Sequence, residues 1–193
     1  VMAAGPGGLG HTCFGTGEAC GIHGDSKTVT LDRSMSGSGK SAIRFLRNAA
    51  GIAVPRGLTL VPGKPTAPEI ALPDVDGKSV RLSELRGKVV LVNFWATWCA
   101  PCVEEMPALA RLRARLAPRG FEVLAVNQGE MPARVTAFAE RTGLDLAILL
   151  DREKSVAKDW KVRALPTTFV VDGKGRIRLF AEGELDTGPA LEA

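Results

Sequence analysis

Beyond His23 the chain contains no histidine. That absence removes Ser-His-Asp and Cys-His catalysis, and histidine metal ligation, from the part of the sequence that carries the punctuation of a folded domain. Long apolar runs are missing as well. No stretch approaches the roughly 20 consecutive apolar residues that a membrane-spanning helix needs. An excess of one charge is absent where it would matter. The 193 residues hold 25 basic and 21 acidic side chains, a difference of +4. Residues 1–64 supply seven basic and three acidic groups, so residues 65–193 carry eighteen of each. A neutral domain has no general attraction for phosphate backbones, and nucleic acid is not an expected partner. Cysteine is scarce too: Cys13, Cys20, Cys99 and Cys102 are all there is. With histidine excluded, the Cys99/Cys102 pair is the chemistry left to the folded part.

What is present has ordinary globular composition, 45% hydrophobic and 24% charged, enough for one sizeable core. Thirteen of the 22 glycines fall before residue 65. Residues 1–24 have no apolar period and are expected to be disordered. Residues 40–54 have some helical spacing, and the prolines and glycines from Pro55 to Pro68 read as a stiff linker. The expected division is 1–64 as disordered or linker extension and 65–193 as the domain. Within it, Asp76-Gly77 marks a hairpin between short extended runs over 69–82. Val89 to Trp95 is a nearly continuous apolar run, expected to be a strand covered on both faces. Residues 103–116 read as an amphipathic helix, 121–126 as a second buried strand, 131–142 as a helix stopped by Gly143 and 153–160 as a short helix. Residues 167–171 and 176–181 flank Asp172-Gly-Lys-Gly175 as an antiparallel hairpin. The pattern predicts an α/β sandwich around a mixed sheet.

Trp98-Cys99-Ala100-Pro101-Cys102 follows the buried strand and opens the amphipathic helix. A thiol in the first turn of a helix faces unpaired backbone N–H groups and the positive end of the macrodipole, both of which favour thiolate. Cys99 is therefore the expected nucleophile. Cys102, one turn on, is close enough to form a disulfide with it and is expected to point inward as the resolving thiol. Pro101 presets helical φ and withholds no needed donor. A zinc half-site is the competing reading of any C-x-x-C, but this domain has no further cysteine or histidine to complete it. Trp95 is expected in the core and Trp98 on the surface beside the nucleophile.

Asn93-Phe-Trp-Ala-Thr-Trp-Cys-Ala-Pro-Cys102, continued by Val-Glu-Glu-Met-Pro107, resembles the thioredoxin superfamily, and more closely its TlpA-like thiol-disulfide oxidoreductases, which include the cytochrome c maturation reductases. The resemblance runs from about residue 65 to 183. It implies a thioredoxin-like sandwich with a central mixed β-sheet flanked by helices, an N-terminal β-hairpin and a central insertion. It implies that Leu165-Pro166, followed by Thr167, is a cis-proline loop packed beside the disulfide. Val126-Asn-Gln-Gly-Glu130 falls in the insertion. Asn93 stands where plain thioredoxin has a buried aspartate that helps deprotonate the resolving thiol, and an amide cannot accept that proton. The resemblance puts Glu130 in that role, with a carboxyl partly desolvated and its pKa raised. Glu105 is read first as a helix-start acid, and second as a group that tempers the thiolate.

The activity implied is reduction of protein disulfides through Cys99 and Cys102, with the redox-active disulfide itself as the only cofactor. Partners implied are an apocytochrome c or another envelope protein, and an upstream thiol electron donor; the protein is expected to be a monomer. TlpA-like proteins are usually exported or anchored, which implies the bacterial periplasm or cell envelope. Lys40 and Arg44 ahead of an apolar run interrupted by Arg47 make no convincing export signal, so the cytoplasm is the alternative. A peroxiredoxin-like peroxidase on the same fold would need a lone cysteine after Thr-x-x, whereas Thr97 is two residues before Cys99. A copper- or zinc-binding module would need C-x-x-x-C and a distal histidine. In residues 1–64, Ser36-Gly-Ser-Gly-Lys-Ser41 mimics a phosphate-binding loop but has Ser34 where glycine is required. His11, Cys13, Cys20 and His23 match no standard zinc spacing.

Overall fold

The computed structural model describes residues 57–185, together with the backbone of a few short strands before them. Those strands form two antiparallel ladders. His11–Cys13 pairs with Cys20–Ile22, placing Cys13 opposite Cys20, where an unstructured segment was expected. Leu46–Arg47 pairs with Ala53–Val54 rather than continuing a helix across 40–54. Gly51 lies between these two strands, and glycine is a poor helix-interior residue. Ser36–Ser41 and His23 lie outside the described residues.

The chain divides into the units Val1–Arg56 and Gly57–Ala193. In the second unit the elements run β1 (Thr59–Leu60), β2 (Ala71–Pro73), β3 (Ser79–Arg81), β4 (Val89–Trp95), α1 (Ala100–Leu116), β5 (Phe121–Gln128), α2 (Pro132–Thr142), β6 (Ala147–Asp151), α3 (Ser155–Asp159), β7 (Thr167–Val171) and β8 (Ile177–Glu182). Six strands form one sheet in the order β6-β5-β4-β7-β8-β1. The β6/β5 and β5/β4 pairs are parallel, and the remaining three pairs are antiparallel. The fold is the expected thioredoxin-like mixed sheet with helices around it. The hairpin β2/β3 stands apart, turning at Gly77 (φ 81°) and leaning on β6 through Val75 N–H to Ile148 O.

Two strands were not legible as such. Thr59–Leu60, read as linker, is the sheet's edge: Leu60 pairs with Leu179 and Thr59 with Phe180. Ala147–Asp151 forms the opposite edge, a parallel strand alongside β5. Its apolar run is too short to distinguish by period from a helical segment. Gly143, in the left-handed region at φ 59°, stops α2 and turns the chain toward β6.

Alternation along β4 decides which side each residue serves. Val90, Val92 and Phe94 join Leu124, Val126 and Leu149 in a core completed by Val156, Ala157 and Trp160 from α3 and its end, and by Ile70, Leu72 and Leu82 from the hairpin region. Trp95 faces the other way, into a core with Ala125, Ile148, Cys99, Cys102 and Met106 of α1, and Val135 and Phe138 of α2. Both faces of the sheet are thus covered, as the unbroken apolar character of β4 requires. Phe94 is fully buried, with its ring 5.8 Å from Trp160 and 6.1 Å from Phe169. Phe94→Ala should lower unfolding free energy by about 3–5 kcal/mol, measured by denaturant titration with the disulfide intact; a loss below about 1 kcal/mol would contradict this account of the core.

Candidate active site

The strand-to-helix junction after β4 sets the reactive pair. Cys99 is the N-cap of α1, in extended conformation (φ −87°, ψ 99°), and its N–H donates to Ala96 O at 3.1 Å. Ala100 and Pro101 occupy the first helical positions, where a missing N–H costs no helix bond. Cys99 and Cys102 are disulfide-bonded, with their Cα atoms 5.3 Å apart. Cys102 is fully buried, as expected, but Cys99 is only 5% exposed, less open than its role as nucleophile implied. Trp98 carries the exposure instead, at 66%. Helix α1 continues for 17 residues through Pro107, so its dipole acts on the Cys99 end.

Strand β7 brings the second loop to the same place. Thr167 pairs with Phe94 and Thr168 with Asn93, so the preceding loop lies at the Trp95 end of β4. Leu165-Pro166 is cis, and Leu165 packs against the cluster that contains both cysteines. Pro166 O accepts from Gly183 N–H at 2.8 Å, and Thr167 Oγ1 donates to Ala164 O at 2.7 Å, closing the loop on itself.

Two carboxylates are buried nearby, and both differ from the sequence expectation. Glu130 follows β5 and is only 8% exposed. Its Oε2 accepts from Thr97 N–H (2.6 Å) and Asn127 Nδ2 (2.7 Å), and its Oε1 accepts from Thr97 Oγ1 (2.6 Å) with Arg134 Nε 3.3 Å away. Burial raises its pKa, but the hydrogen bonds from Thr97 and Asn127 and the charge of Arg134 outweigh it and hold the carboxyl below its ordinary value. The expected raised pKa is therefore reversed. Glu130 is an ionised anchor that ties the start of α2 to the residue two before Cys99.

Glu105 is not a helix-start acid. It lies in the second turn of α1, three residues after Cys102, and is fully buried. Asn93 Nδ2 donates to its Oε1 at 2.6 Å and Leu185 N–H to its Oε2 at 3.1 Å. Burial pushes the carboxyl above its ordinary range; the bonds from Leu185 and Asn93 oppose the shift, and the charge of Glu184 adds to it. Asn93 also donates to Thr168 Oγ1 at 3.0 Å, while its Oδ1 is buried with no partner. Residues three apart on a helix share a face. The carboxyl with the raised pKa thus belongs to the α1 face that carries Cys102, whereas the Glu130 carboxyl lies below its ordinary value. The available signal was β4's alternation, which turns Asn93 with Trp95 toward α1. The contributions of Thr97, Asn127, Arg134 and Leu185 are contacts between distant segments, and no spacing announces them. Among the described residues, no three histidine, cysteine, aspartate or glutamate side chains gather where they could share a metal ion.

A depressed folded pKa at Glu130 means its stabilisation is present above the unfolded glutamate value of about 4.3 and is lost as pH falls through the lower folded value. Glu130→Gln should cost about 1–3 kcal/mol of stability at neutral pH. The gap from the unsubstituted protein should close on acidification below pH of about 4. Thermal unfolding across the acid range measures this, and a pH-independent gap would contradict an ionised Glu130.

The AhpC/TSA family matches residues 64–180, more than half of the chain. Thiol-disulfide oxidoreductase ResA of Geobacillus thermodenitrificans is 43% identical over 120 residues, covering 62% of this chain and 69% of that protein. ResA of Bacillus subtilis is 39% identical over 111 residues, covering 58% and 62%. Among solved structures, a thiol:disulfide interchange protein of the thioredoxin family from Chlorobium tepidum superposes with a TM-score of 0.59 at 26% identity, covering 66% of this chain and 97% of that one. The exposed lipoprotein thioredoxin Etrx1 of Streptococcus pneumoniae gives 0.58 at 28% identity, covering 65% and 96%. With a bonded C-x-x-C at the head of α1 in this fold, the chain belongs to the AhpC/TSA family as one of its thiol-disulfide oxidoreductases, enzymes whose substrates are protein disulfides.

Proposed function

We propose that this oxidoreductase works as a reductant, with Cys99 as nucleophile, Cys102 as resolving thiol and Glu105 as the base that receives the Cys102 proton. The observation that carries the reading is the buried Glu105, held above its ordinary pKa one turn beyond a disulfide at a helix N-terminus. In the reduced protein, the Cys99 thiolate attacks one sulfur of a partner disulfide; that bond breaks, the partner's other sulfur leaves as thiolate and takes a proton from water, and a mixed disulfide joins the proteins. Cys102 then loses its proton to the Glu105 carboxylate and attacks Cys99 Sγ. The partner's second sulfur leaves as a thiolate and takes a proton from water, and Cys99–Cys102 closes. Two electrons have passed to the partner. A base with a raised pKa suits this transfer near neutral pH better than an ordinary glutamate.

Trp98, exposed beside Cys99, and the Leu165-Pro166-Thr167 loop form the surface that receives the partner's cysteine segment. Ala100 and Pro101 keep the turn between the cysteines helical. Substrates are apocytochrome c or other envelope proteins, and an upstream thiol protein recycles the disulfide. The redox pair serves without a further cofactor, and the protein acts as a monomer in the periplasm or cell envelope. The likeness to an exposed lipoprotein thioredoxin of Streptococcus pneumoniae supports the envelope setting. A peroxidase reading is disfavoured because Thr97 Oγ1 is engaged by Glu130 and Arg134.

Cys102→Ser should accumulate covalent complexes through Cys99, and mass spectrometry of those complexes identifies substrate and compartment together. Glu105→Gln should slow release of partner from the mixed disulfide by about a hundredfold near neutral pH. The unsubstituted protein's rate should rise as Glu105 ionises through its raised pKa, and the variant should lack that limb. Equal rates and equal pH profiles would remove Glu105 from the mechanism.

A further inference from the structure

At the end of the sheet away from the disulfide, the β7–β8 turn borders a shallow cavity of about 400 Å³ lined by Lys64, Asp172, Gly173, Lys174, Arg176 and Arg178. Gly87 N–H donates to Gly173 O at 2.9 Å, which fixes this turn beside the start of β4. Cys99 follows the other end. The seven residues of β4 separate the two poles by about 20 Å. Arg86 adds a fifth cation, because its guanidinium lies against Gly175 in the same turn.

The only carboxylate lining the cavity is already committed. Asp172 Oδ1 accepts from the N–H groups of Lys174 and Arg176, both at 3.0 Å, and its Oδ2 from Arg178 Nη1 at 3.1 Å. Among the described residues, Lys64, Arg86, Lys174 and Arg176 have no ion-pair partner, and all four are exposed. Lys64 is held in the left-handed region at φ 48°, a conformation that non-glycine residues seldom adopt. Five cations thus converge around one neutralised acid, although residues 65–193 as a whole carry as many acidic as basic side chains. That is local design of the field rather than a general basic character.

Four large apolar side chains are exposed among the described residues: Trp98, Met131, Leu60 and Val89. The first two flank the Cys99 loop. Val89 opens β4 beside Lys88, and Leu60 pairs with Leu179, next to Arg178. Leu60 and Val89 do not line the cavity but lie at the same end of the sheet as the cations, an arrangement that suits a lipid surface better than a soluble anion, since the phosphate meets the charge and the aliphatic groups meet the acyl boundary.

We infer that this pole is a docking surface for anionic phospholipid, with a headgroup phosphate held in the cavity by Lys64, Lys174, Arg176 and Arg178, and Arg86 at its rim. Docked this way, the protein keeps its disulfide turned away from the bilayer and open to partners. The inference does not depend on the direction of thiol exchange or on Glu105.

The test uses the full chain at physiological ionic strength, with vesicles of phosphatidylcholine alone or containing phosphatidylglycerol, inorganic phosphate, and a single-stranded oligonucleotide. Expected is co-sedimentation with the phosphatidylglycerol vesicles only, weakened about tenfold or more by Lys174→Ala/Arg176→Ala. The charge-matched control Arg152→Ala/Lys158→Ala should bind as the unsubstituted protein does, and both double variants should keep disulfide-exchange activity. Equal loss in the control, no vesicle binding, binding of inorganic phosphate without vesicle binding, or equal affinity for the oligonucleotide would each overturn the inference. A double variant that lost exchange activity as well would overturn the separation of the two poles, and its circular dichroism would show whether folding was at fault.

Discussion

A carboxylate survives burial as a charge only where enough donors face it, and the reactive end of this protein is organised by that requirement. Glu130 has three hydrogen-bond donors on its two oxygens and a guanidinium beside them, and it stays ionised. Glu105 has two donors, neither cationic, and burial prevails. Both are glutamates on segments adjoining the same C-x-x-C, yet one carboxyl is held below its ordinary pKa and the other above it. The difference comes from coordination, not from residue type or from depth alone.

The anchoring by Glu130 bears on the chemistry through geometry. Thr97 presents both its N–H and its hydroxyl to that carboxylate, so the stretch before Cys99 is held from two atoms of one residue. A nucleophile benefits from the helix dipole only while it sits at the helix end, because the effect fades beyond the first turn. Fixing Thr97 keeps Cys99 at that end. On the opposite side of the pair, the cis Leu165-Pro166 loop is carried in by β7, and Leu185 returns from beyond β8 to donate to Glu105. Segments from four parts of the chain therefore converge on a motif four residues long.

The strand direction of β4 has a second consequence. It carries the chain from a basic pole to a reactive one, so a surface contact at one end need not obstruct partners at the other. Parallel pairing with β5 puts the turn into α2, with Glu130 and Met131, at the reactive end as well. Among the described residues, the large apolar side chains left exposed divide between the same two ends.

Much of this was legible in the residues themselves. Continuous apolar character marked β4 as covered on both faces; Asp76-Gly77 and Asp172 to Gly175 marked the hairpins; Gly143 marked the end of α2. The C-x-x-C, with histidine absent, restricted the chemistry to sulfur, and the motif around Trp98 and Pro166 carried the family. Short-range rules suffice there, because turn conformation, period and helix capping depend on neighbours a few residues away. The edge strands β1 and β6 were missed since two and five residues are too few for a period to speak. The direction of the pKa shift at Glu130 was misjudged for a deeper reason. A pKa depends on donors and solvent within a few ångströms, and those donors, Asn93, Leu185, Thr97 and Asn127, reach the carboxylates only when the sheet and helices have packed. The sequence alone determined which atoms could react; tertiary structure decided which acid keeps its charge, because only packing sets what surrounds it.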